Sequence, residues 1–107
     1  MEEGLTEEEY ALFSMLLRDD LSKTERERVK VASRSLLREI QALLAPLEQW
    51  TQKEQTQAEV EVFILDHLYP LLPSPPFTDD DKQAAAREVY SYIWQQGTSS
   101  AFMGANG

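Results

Sequence analysis

The sequence predicts an all-α domain of four helices, with a proline-rich link before the last helix and a disordered C-terminal tail. Three observations predict this fold class. A hydroxyl residue followed three positions later by an acid, the pattern of a helix capping box, occurs four times. An apolar stripe with helical spacing follows each pair. Prolines and a late glycine separate or end the stripes. The pairs are Thr6 with Glu9, Ser22 with Glu25, Thr51 with Glu54, and Thr78 with Asp81.

The first helix is expected from about Glu7 to Leu17. Glutamates fill its first turn, where negative charge complements the helix dipole. Asp19 and Asp20 mark the break that follows the helix. Its apolar residues are spaced by three and four positions and therefore form one face. They are Tyr10, Phe13, Leu16 and Leu17.

The second helix is the longest and is expected from about Lys23 to Ala45. Pro46 ends it, because the residue before a proline disfavours helical geometry. A sustained apolar stripe along this helix predicts a central place in the core. The stripe comprises Val29, Ala32, Leu36, Ile40 and Leu43.

The third helix is expected from about Gln52 to Leu68. Trp50 precedes it in the connection, where a large ring can seal the join between two helices. The start of the helix is polar, and its later turns present an apolar face. That face comprises Val60, Phe63, Ile64 and Leu68.

A proline-rich link follows, and its composition favours extended, stiff backbone. The fourth helix is expected to start after Thr78 and to run to about Gln96, with Gly97 as its stop. We therefore expect one helical domain at 5–96 and a flexible tail at 97–107. The link contains Pro70, Pro73, Pro75 and Pro76, and the apolar face of the fourth helix contains Ala85, Ala86, Val89, Tyr90, Ile93 and Trp94.

Composition narrows the function classes. The 107 residues carry a net charge of −9, which argues against a general nucleic-acid coat protein. The absence of cysteine excludes a disulfide framework, a thiolate metal site and a cysteine nucleophile, and it suits a cytoplasmic protein. No apolar run approaches the roughly 20 residues that span a bilayer, so we expect no membrane partner.

Catalytic and cofactor motifs are missing from the sequence. It has neither a P-loop nor a dinucleotide-binding glycine pattern. His67 is the single histidine, so a pair of histidine metal ligands is impossible. Asp79, Asp80 and Asp81 are consecutive, and their side chains would point about 100° apart on a helix. They suit a helix N-terminus better than a metal site. We expect no catalytic residue, no cofactor and no metal.

A row of basic residues on the second helix is the main candidate for a contact site. Residues 22–47 carry six bases and three acids. Four of the bases recur at every fourth position, starting on one flank of the apolar stripe and drifting onto the outer face. The row could bind phosphates or an acidic partner. The alternative is a solvated face that pairs with Glu27, with Glu39 or with the acidic first helix. The row comprises Arg26, Lys30, Arg34 and Arg38.

Aromatic residues near the end of the fourth helix offer a second candidate. Tyr90, Tyr92 and Trp94 suggest a stacking platform for single-stranded nucleic acid. Because Arg87 is the only base close to them in the sequence, packing in the core is the better interpretation.

Five segments of the chain resemble one family. They are 5–13, 50–60, 64–68, 72–78 and 89–94, and the most distinctive are Trp-Thr-Gln-Lys at 50–53 and Leu-Pro-Ser-Pro-Pro-Phe at 72–77. Together they resemble the C-terminal helical domain of the R (HsdR-like) subunit of type I restriction-modification enzymes. That subunit is an ATP-dependent DNA translocase and endonuclease whose nuclease and helicase motifs lie upstream of this domain. The resemblance assigns no role to the basic row.

The resemblance implies a non-catalytic assembly domain, which docks the translocase onto the methyltransferase and specificity subunits. DNA would then be contacted only indirectly or weakly. Two alternatives remain from the residues themselves. One is a free-standing helical adaptor that binds another protein, and the weaker one is a DNA-binding helical module that uses the basic row.

Overall fold

A computed structural model describes residues 4–47 and 49–99, and in this part of the chain it contains four α-helices and no strand. The predicted all-α fold class is thereby confirmed. The helices are α1 (Glu7–Leu16), α2 (Lys23–Leu44), α3 (Glu54–Leu71) and α4 (Asp79–Ser99), and a 3₁₀ turn (Trp50–Gln52) precedes α3. None of the helices in these ranges has the length and apolar content needed to cross a membrane.

The four helices form a closed up-down bundle. α1 packs against α2 and α4, and α3 packs against the same two helices. Late residues of each helix meet early residues of its neighbour, as when Arg34 of α2 reaches Gly4 while Arg26 lies over the ring of Phe13. Neighbouring helices are therefore antiparallel, which short connections between consecutive helices favour.

Three of the four predicted capping boxes are confirmed. The hydroxyls of Thr6, Ser22 and Thr78 accept from the backbone N–H three residues on at 3.1–3.2 Å. The acids at those later positions accept from the N–H of the capping residue at 2.9 Å. Each pair satisfies two backbone donors that the first turn of a helix leaves open.

The predicted third capping box at Thr51 is wrong, because α3 begins later. Thr51 lies within the 3₁₀ turn, and its backbone lacks the extended geometry of an N-cap. The cap is Lys53, whose side chain makes no capping bond. The side-chain amide of Gln57 donates instead to the carbonyl of Thr51 at 2.5 Å. Buried Trp50 starts the turn, so packing of this ring displaces the helix start predicted from local sequence.

The core runs along the centre of the bundle and follows most of the predicted stripes. Leu36 and Ile40 of α2 are fully buried, as predicted. Tyr10, which was predicted on the buried face of α1, is 37% exposed, and Leu12 is buried beside Phe13 instead. The largest fully buried side chains are Leu5, Leu12, Phe13, Leu16, Val29, Leu36, Ile40, Leu44, Ile64, Leu68, Leu72 and Ile93.

The proline-rich link begins later than predicted, because Pro70 lies inside α3. A proline near the end of a helix removes a single backbone bond, and the N–H of Leu72 still donates to the carbonyl of Leu68. The next donor along the helix would be residue 73, which is also proline and leaves the carbonyl of Tyr69 without that bond. Lys82 replaces it, since its ammonium donates to this carbonyl at 2.8 Å. This contact explains why a lysine is only 5% exposed.

Gly97 does not stop the last helix, and the predicted helix end at about Gln96 is too early. α4 continues through Gly97 to Ser99. The glycine serves close packing, because a Cβ at this position would lie 2.9 Å from Nε1 of Trp50. The rest of the predicted tail, 100–107, lies outside the described residues.

Candidate protein interface

The basic row crosses from the contact with α1 to the outer surface. The guanidinium of Arg26 lies 5.2 Å from the centre of the Phe13 ring, and the ammonium of Lys30 lies 3.4 Å from the carboxylate of Glu27. Arg34 donates to the carbonyl of Gly4 at 2.9 Å. Its Nε also lies 3.9 Å from the carboxylate of Glu9. Much of the row therefore contacts its own domain, as the alternative interpretation requires.

Arg38, the last member of the row, is exposed on α2. It lies apart from the α1 contact, because each step of four residues rotates the row by about 40° around the helix. The structure thus does not bring the four bases together as one patch facing solvent.

An open groove lies on the opposite flank of α2. It lies between α2 and the C-terminal half of α3 and consists of two adjoining depressions of about 420 and 440 Å³. Pro70 and Leu71 line both, so the two depressions adjoin, and together we call them the α2/α3 groove. Its other lining residues are Thr24, Glu27, Arg28, Val31, Ala32, Ser35, Glu39, Asp66 and His67.

Helical spacing explains why these residues share one groove. Arg28, Ser35 and Glu39 lie at steps of seven and four residues, which place them on one flank of α2. Asp66 and Pro70 lie four residues apart on the facing flank of α3. Since α2 and α3 are antiparallel, the start of α2 lies beside the end of α3, and Glu39, further along α2, shares a depression with Asp66.

One exposed valine lies in the groove, and a second lies on α3 close to it. Val31 is 59% exposed and lines the groove, and Val62 is 57% exposed one turn before Asp66 on α3. Among the described residues, Tyr10 on α1 is the other large apolar side chain with an exposed surface. Val31 thus gives the α2 wall of the groove an apolar side chain that a covering molecule could bury.

His67 and Asp66 bring hydrogen-bonding groups to the α3 wall. The His67 ring stacks on Phe63 with 4.0 Å between ring centres. Its Nδ1 lies 3.1 Å from the Phe63 carbonyl, and since a carbonyl only accepts, this contact places a proton on Nδ1. Pro70 has no N–H to donate to the carbonyl of Asp66. That carbonyl therefore lacks its helical partner on the wall where Asp66 and Pro70 lie.

Charges of opposite sign lie towards the two ends of the groove. Glu27 is paired with Lys30, so Arg28 supplies the net charge near the start of α2. Glu39 and Asp66 supply two negative charges at the other depression. Within the described ranges, Arg28, Glu39 and Asp66 form no ion pair. The groove is therefore positive at one end and negative at the other.

A second charged cluster, at the end of the bundle where α4 begins, holds helices together. Arg18 donates to Asp81 at 2.7 Å and lies 5.1 Å over the ring of Phe77. The hydrogen bond from the Thr78 amide, and then the bond from Arg18, lower the pKa of Asp81. The bond to Asp81 in turn raises the pKa of Arg18. The cluster connects the end of α1 to the start of α4, and its polar groups bond to one another.

Two of the three consecutive aspartates have separate contacts. Asp79 accepts from the Tyr69 hydroxyl, which raises the pKa of Tyr69, whereas Asp81 caps α4 and binds Arg18. No group of three histidine or acidic side chains converges in the described residues in a way that could hold a metal ion.

Two of the three aromatic candidates, Tyr90 and Trp94, lie against Trp50 at the opposite end of the bundle. The rings of Tyr90 and Trp94 pack edge-on against Trp50, with 6.0 and 5.8 Å between ring centres. Trp50 is only 3% exposed, and its indole N–H has no hydrogen-bond acceptor in the described structure. This arrangement agrees with core packing. Burial raises the pKa of Tyr90 and of Tyr92.

Sequence reasoning missed both the groove and Lys82. The groove had one usable signal, since Val31 and Val62 are apolar residues outside the predicted stripes. Lys82 had another, since Pro73 lies four residues after Tyr69 and cannot complete its backbone bond.

Comparison of the chain with models of protein families, with curated proteins and with solved structures finds no match.

Proposed function

We propose that this chain is a non-catalytic assembly domain that docks a larger protein onto its partner subunits through the α2/α3 groove. The observation that carries the proposal is the open groove itself, with exposed Val31 on its α2 wall. Exposed Val62 lies on α3 one turn before Asp66, which lines the groove. A bundle that has completed its own core gains nothing from apolar side chains held in water, whereas a partner that covers them gains from their burial.

The resemblance to the R subunit of type I restriction enzymes names the assembly. The partners would be the methyltransferase and specificity subunits, in the cytoplasm, and the translocase and endonuclease activities would belong to other parts of the larger chain. The segments that carry the resemblance include 64–68 and 72–78, which begin on the α3 wall of the groove and continue past it.

The DNA-binding alternative is less favoured by the contacts of the basic row. Arg26, Lys30 and Arg34 contact Phe13, Glu27 and Gly4 respectively. A phosphate-binding row would have to give up some of these contacts, and the net charge of −9 opposes the approach of DNA.

The free-standing adaptor would use the same groove, so the partner separates the two proposals. The experiment is co-purification of the tagged chain with the cognate methyltransferase–specificity core, at two salt concentrations. Retention of the core supports the restriction assembly. Failure of both subunits to bind, with the chain folded by circular dichroism, contradicts it.

The same preparation tests the absence of catalysis. We expect the isolated chain neither to hydrolyse ATP nor to cut DNA, since its sequence has no phosphate-binding loop. ATP hydrolysis that follows the protein through every purification step would contradict the proposal.

A further inference from the structure

We infer that the α2/α3 groove receives a single amphipathic helix of the partner, which carries an acidic residue and a basic residue eleven positions apart on one face. The inference rests on the proposed function, in that the groove is the docking surface. It adds the chemistry of the segment that binds and the direction in which that segment lies.

The shape of the groove selects a helix. The α2/α3 groove lies along two antiparallel helices. Pro70 and Leu71 line both of its depressions, and Val31 lies on the α2 wall of one of them. A helix laid along such a groove packs its ridge of side chains between the ridges of α2 and α3. Apolar anchors at helical spacing are the usual way a helix fills a groove of this kind.

The charges of the groove fix the spacing on the partner. Arg28 and Glu39 are eleven residues apart on α2, which corresponds to about 16 Å along the helix axis at about 1.5 Å per residue. Eleven residues are also close to three full turns. A partner helix aligned with α2 can therefore present an acid to Arg28 and a base to Glu39 and Asp66 from one face.

Charge complementarity determines the direction in which the partner helix lies in the groove more than it determines the affinity of that helix. Ion pairs at an exposed groove add little binding free energy, whereas placing like charges together disfavours the reverse alignment. The acidic residue of the partner then lies at the Arg28 end, and its basic residue lies at the Glu39 and Asp66 end. The free carbonyl of Asp66 offers a further acceptor to a lysine or arginine there.

The probe is a synthetic 18-residue helical peptide with leucines at a three- and four-residue spacing and with glutamate and lysine eleven positions apart. A control peptide of the same composition separates the two charges by nine positions, which puts them on opposite faces. Binding is followed by amide chemical shifts of the full chain. A nitroxide label at the lysine end of the peptide reports direction through line broadening.

We expect shifts at groove residues and broadening near His67 but not near Thr24. The control peptide should bind up to about fivefold more weakly, the upper end of what one exposed ion pair contributes. In the charge-reversed variant Arg28→Glu, Glu39→Lys and Asp66→Lys, the broadening should move to the Thr24 end. The matched control, Arg87→Glu with Glu88→Lys on the exposed face of α4, should leave direction and affinity unchanged.

The inference is overturned if millimolar peptide shifts no groove residue, or if broadening ignores the charge reversal. The proposed function is tested separately, by the co-purification experiment, and its outcome does not depend on this result. If the methyltransferase core is retained but the peptide does not bind in one orientation, the assembly role still holds and the proposed partner helix is ruled out. Oriented peptide binding without retention of the core leaves the groove chemistry standing and removes the restriction assembly.

Discussion

Gly97 and Trp50 form the closest approach between α4 and the connection that precedes α3. The buried indole fills the place where a side chain on residue 97 would lie, since a Cβ there would be 2.9 Å from Nε1 of Trp50 and 3.2 Å from the Thr51 methyl group. A glycine in a helix interior costs about 1 kcal/mol relative to alanine. Close packing of a large ring is the physical reason to keep it.

The effect of Gly97→Ala on the free energy of unfolding is therefore expected to change sign when Trp50 is replaced. In the natural chain the overpacking penalty of about 1–3 kcal/mol exceeds the helix-propensity gain, so the free energy of unfolding should fall. In a Trp50→Phe chain the Nε1 atom is gone, and the same substitution should be neutral or stabilising. Urea denaturation of the two single variants and the double variant measures this coupling. Equal effects of Gly97→Ala in both backgrounds would mean that the indole does not impose the glycine.

Asp81 supports α4 as a charged group, and this makes its contribution depend on pH. Its pKa is lowered in the folded chain, so it stabilises the fold above the ordinary aspartate pKa of about 3.9. That contribution is lost as the pH falls through the lower, folded value. Asp81→Asn keeps an oxygen that can accept from the Thr78 amide but loses the charge that faces Arg18.

We expect Asp81→Asn to be less stable than the natural chain at pH 7, with the difference shrinking below about pH 4 as the natural carboxylate is protonated. Urea denaturation from pH 7 to pH 2 measures it. Asp80→Asn is the control, because it removes a neighbouring acid outside the Arg18 contact. A difference that stays constant over this range would show that the charge of Asp81 is not what matters.

At the scale of the element, the surface of α2 has three parts. One face carries the core, one flank contacts α1 through Arg26 and Arg34, and the other flank forms the groove. The core face is the part that the apolar stripe predicted, because burial of side chains at a three- and four-residue spacing dominates helix packing. The groove flank depends on how far α3 lies along α2, which no local pattern encodes.

The division of α2 predicts unequal costs of truncation. Leu36→Ala and Ile40→Ala should each lower the free energy of unfolding by about 2–4 kcal/mol, since both side chains are fully buried. Val31→Ala on the same helix should cost less than about 0.5 kcal/mol, as expected of an exposed position. Urea denaturation measures all three. A large cost at Val31, or a negligible one at both core positions, would mean that the stripe is oriented differently.

The helix ends show where prediction from sequence stopped. The boxes at Thr6 and Ser22 were predictable because capping is local and needs only the residues themselves. The ends beside Trp50 and Gly97 were not, because the position of a ring on another element decides them. Pro70 was likewise assigned to the link, although a proline in the last turn removes a single bond that the helix end tolerates.

At the scale of the whole molecule, the bundle completes its own core and still leaves one flank open. Arg18 and Lys82 tie the end of the bundle where α4 begins, and Trp50 closes the other end. The α2/α3 groove has no such closure in the described residues. We propose that exposed Val31 and the two charged ends of the groove are what another protein recognises, and this is the part of the account that the sequence alone did not predict.

The most direct test is binding of the methyltransferase–specificity core by a chain that carries Val31→Asp and Val62→Asp together. These changes place charge in the groove at Val31 and close to it at Val62 without touching the core, since both side chains are exposed. Circular dichroism and the free energy of unfolding should therefore stay close to those of the natural chain. We expect the affinity for the core to fall at least tenfold. Tyr10→Asp, at the exposed apolar residue on α1, should leave it unchanged. Undiminished binding by the folded double variant would contradict docking through the α2/α3 groove.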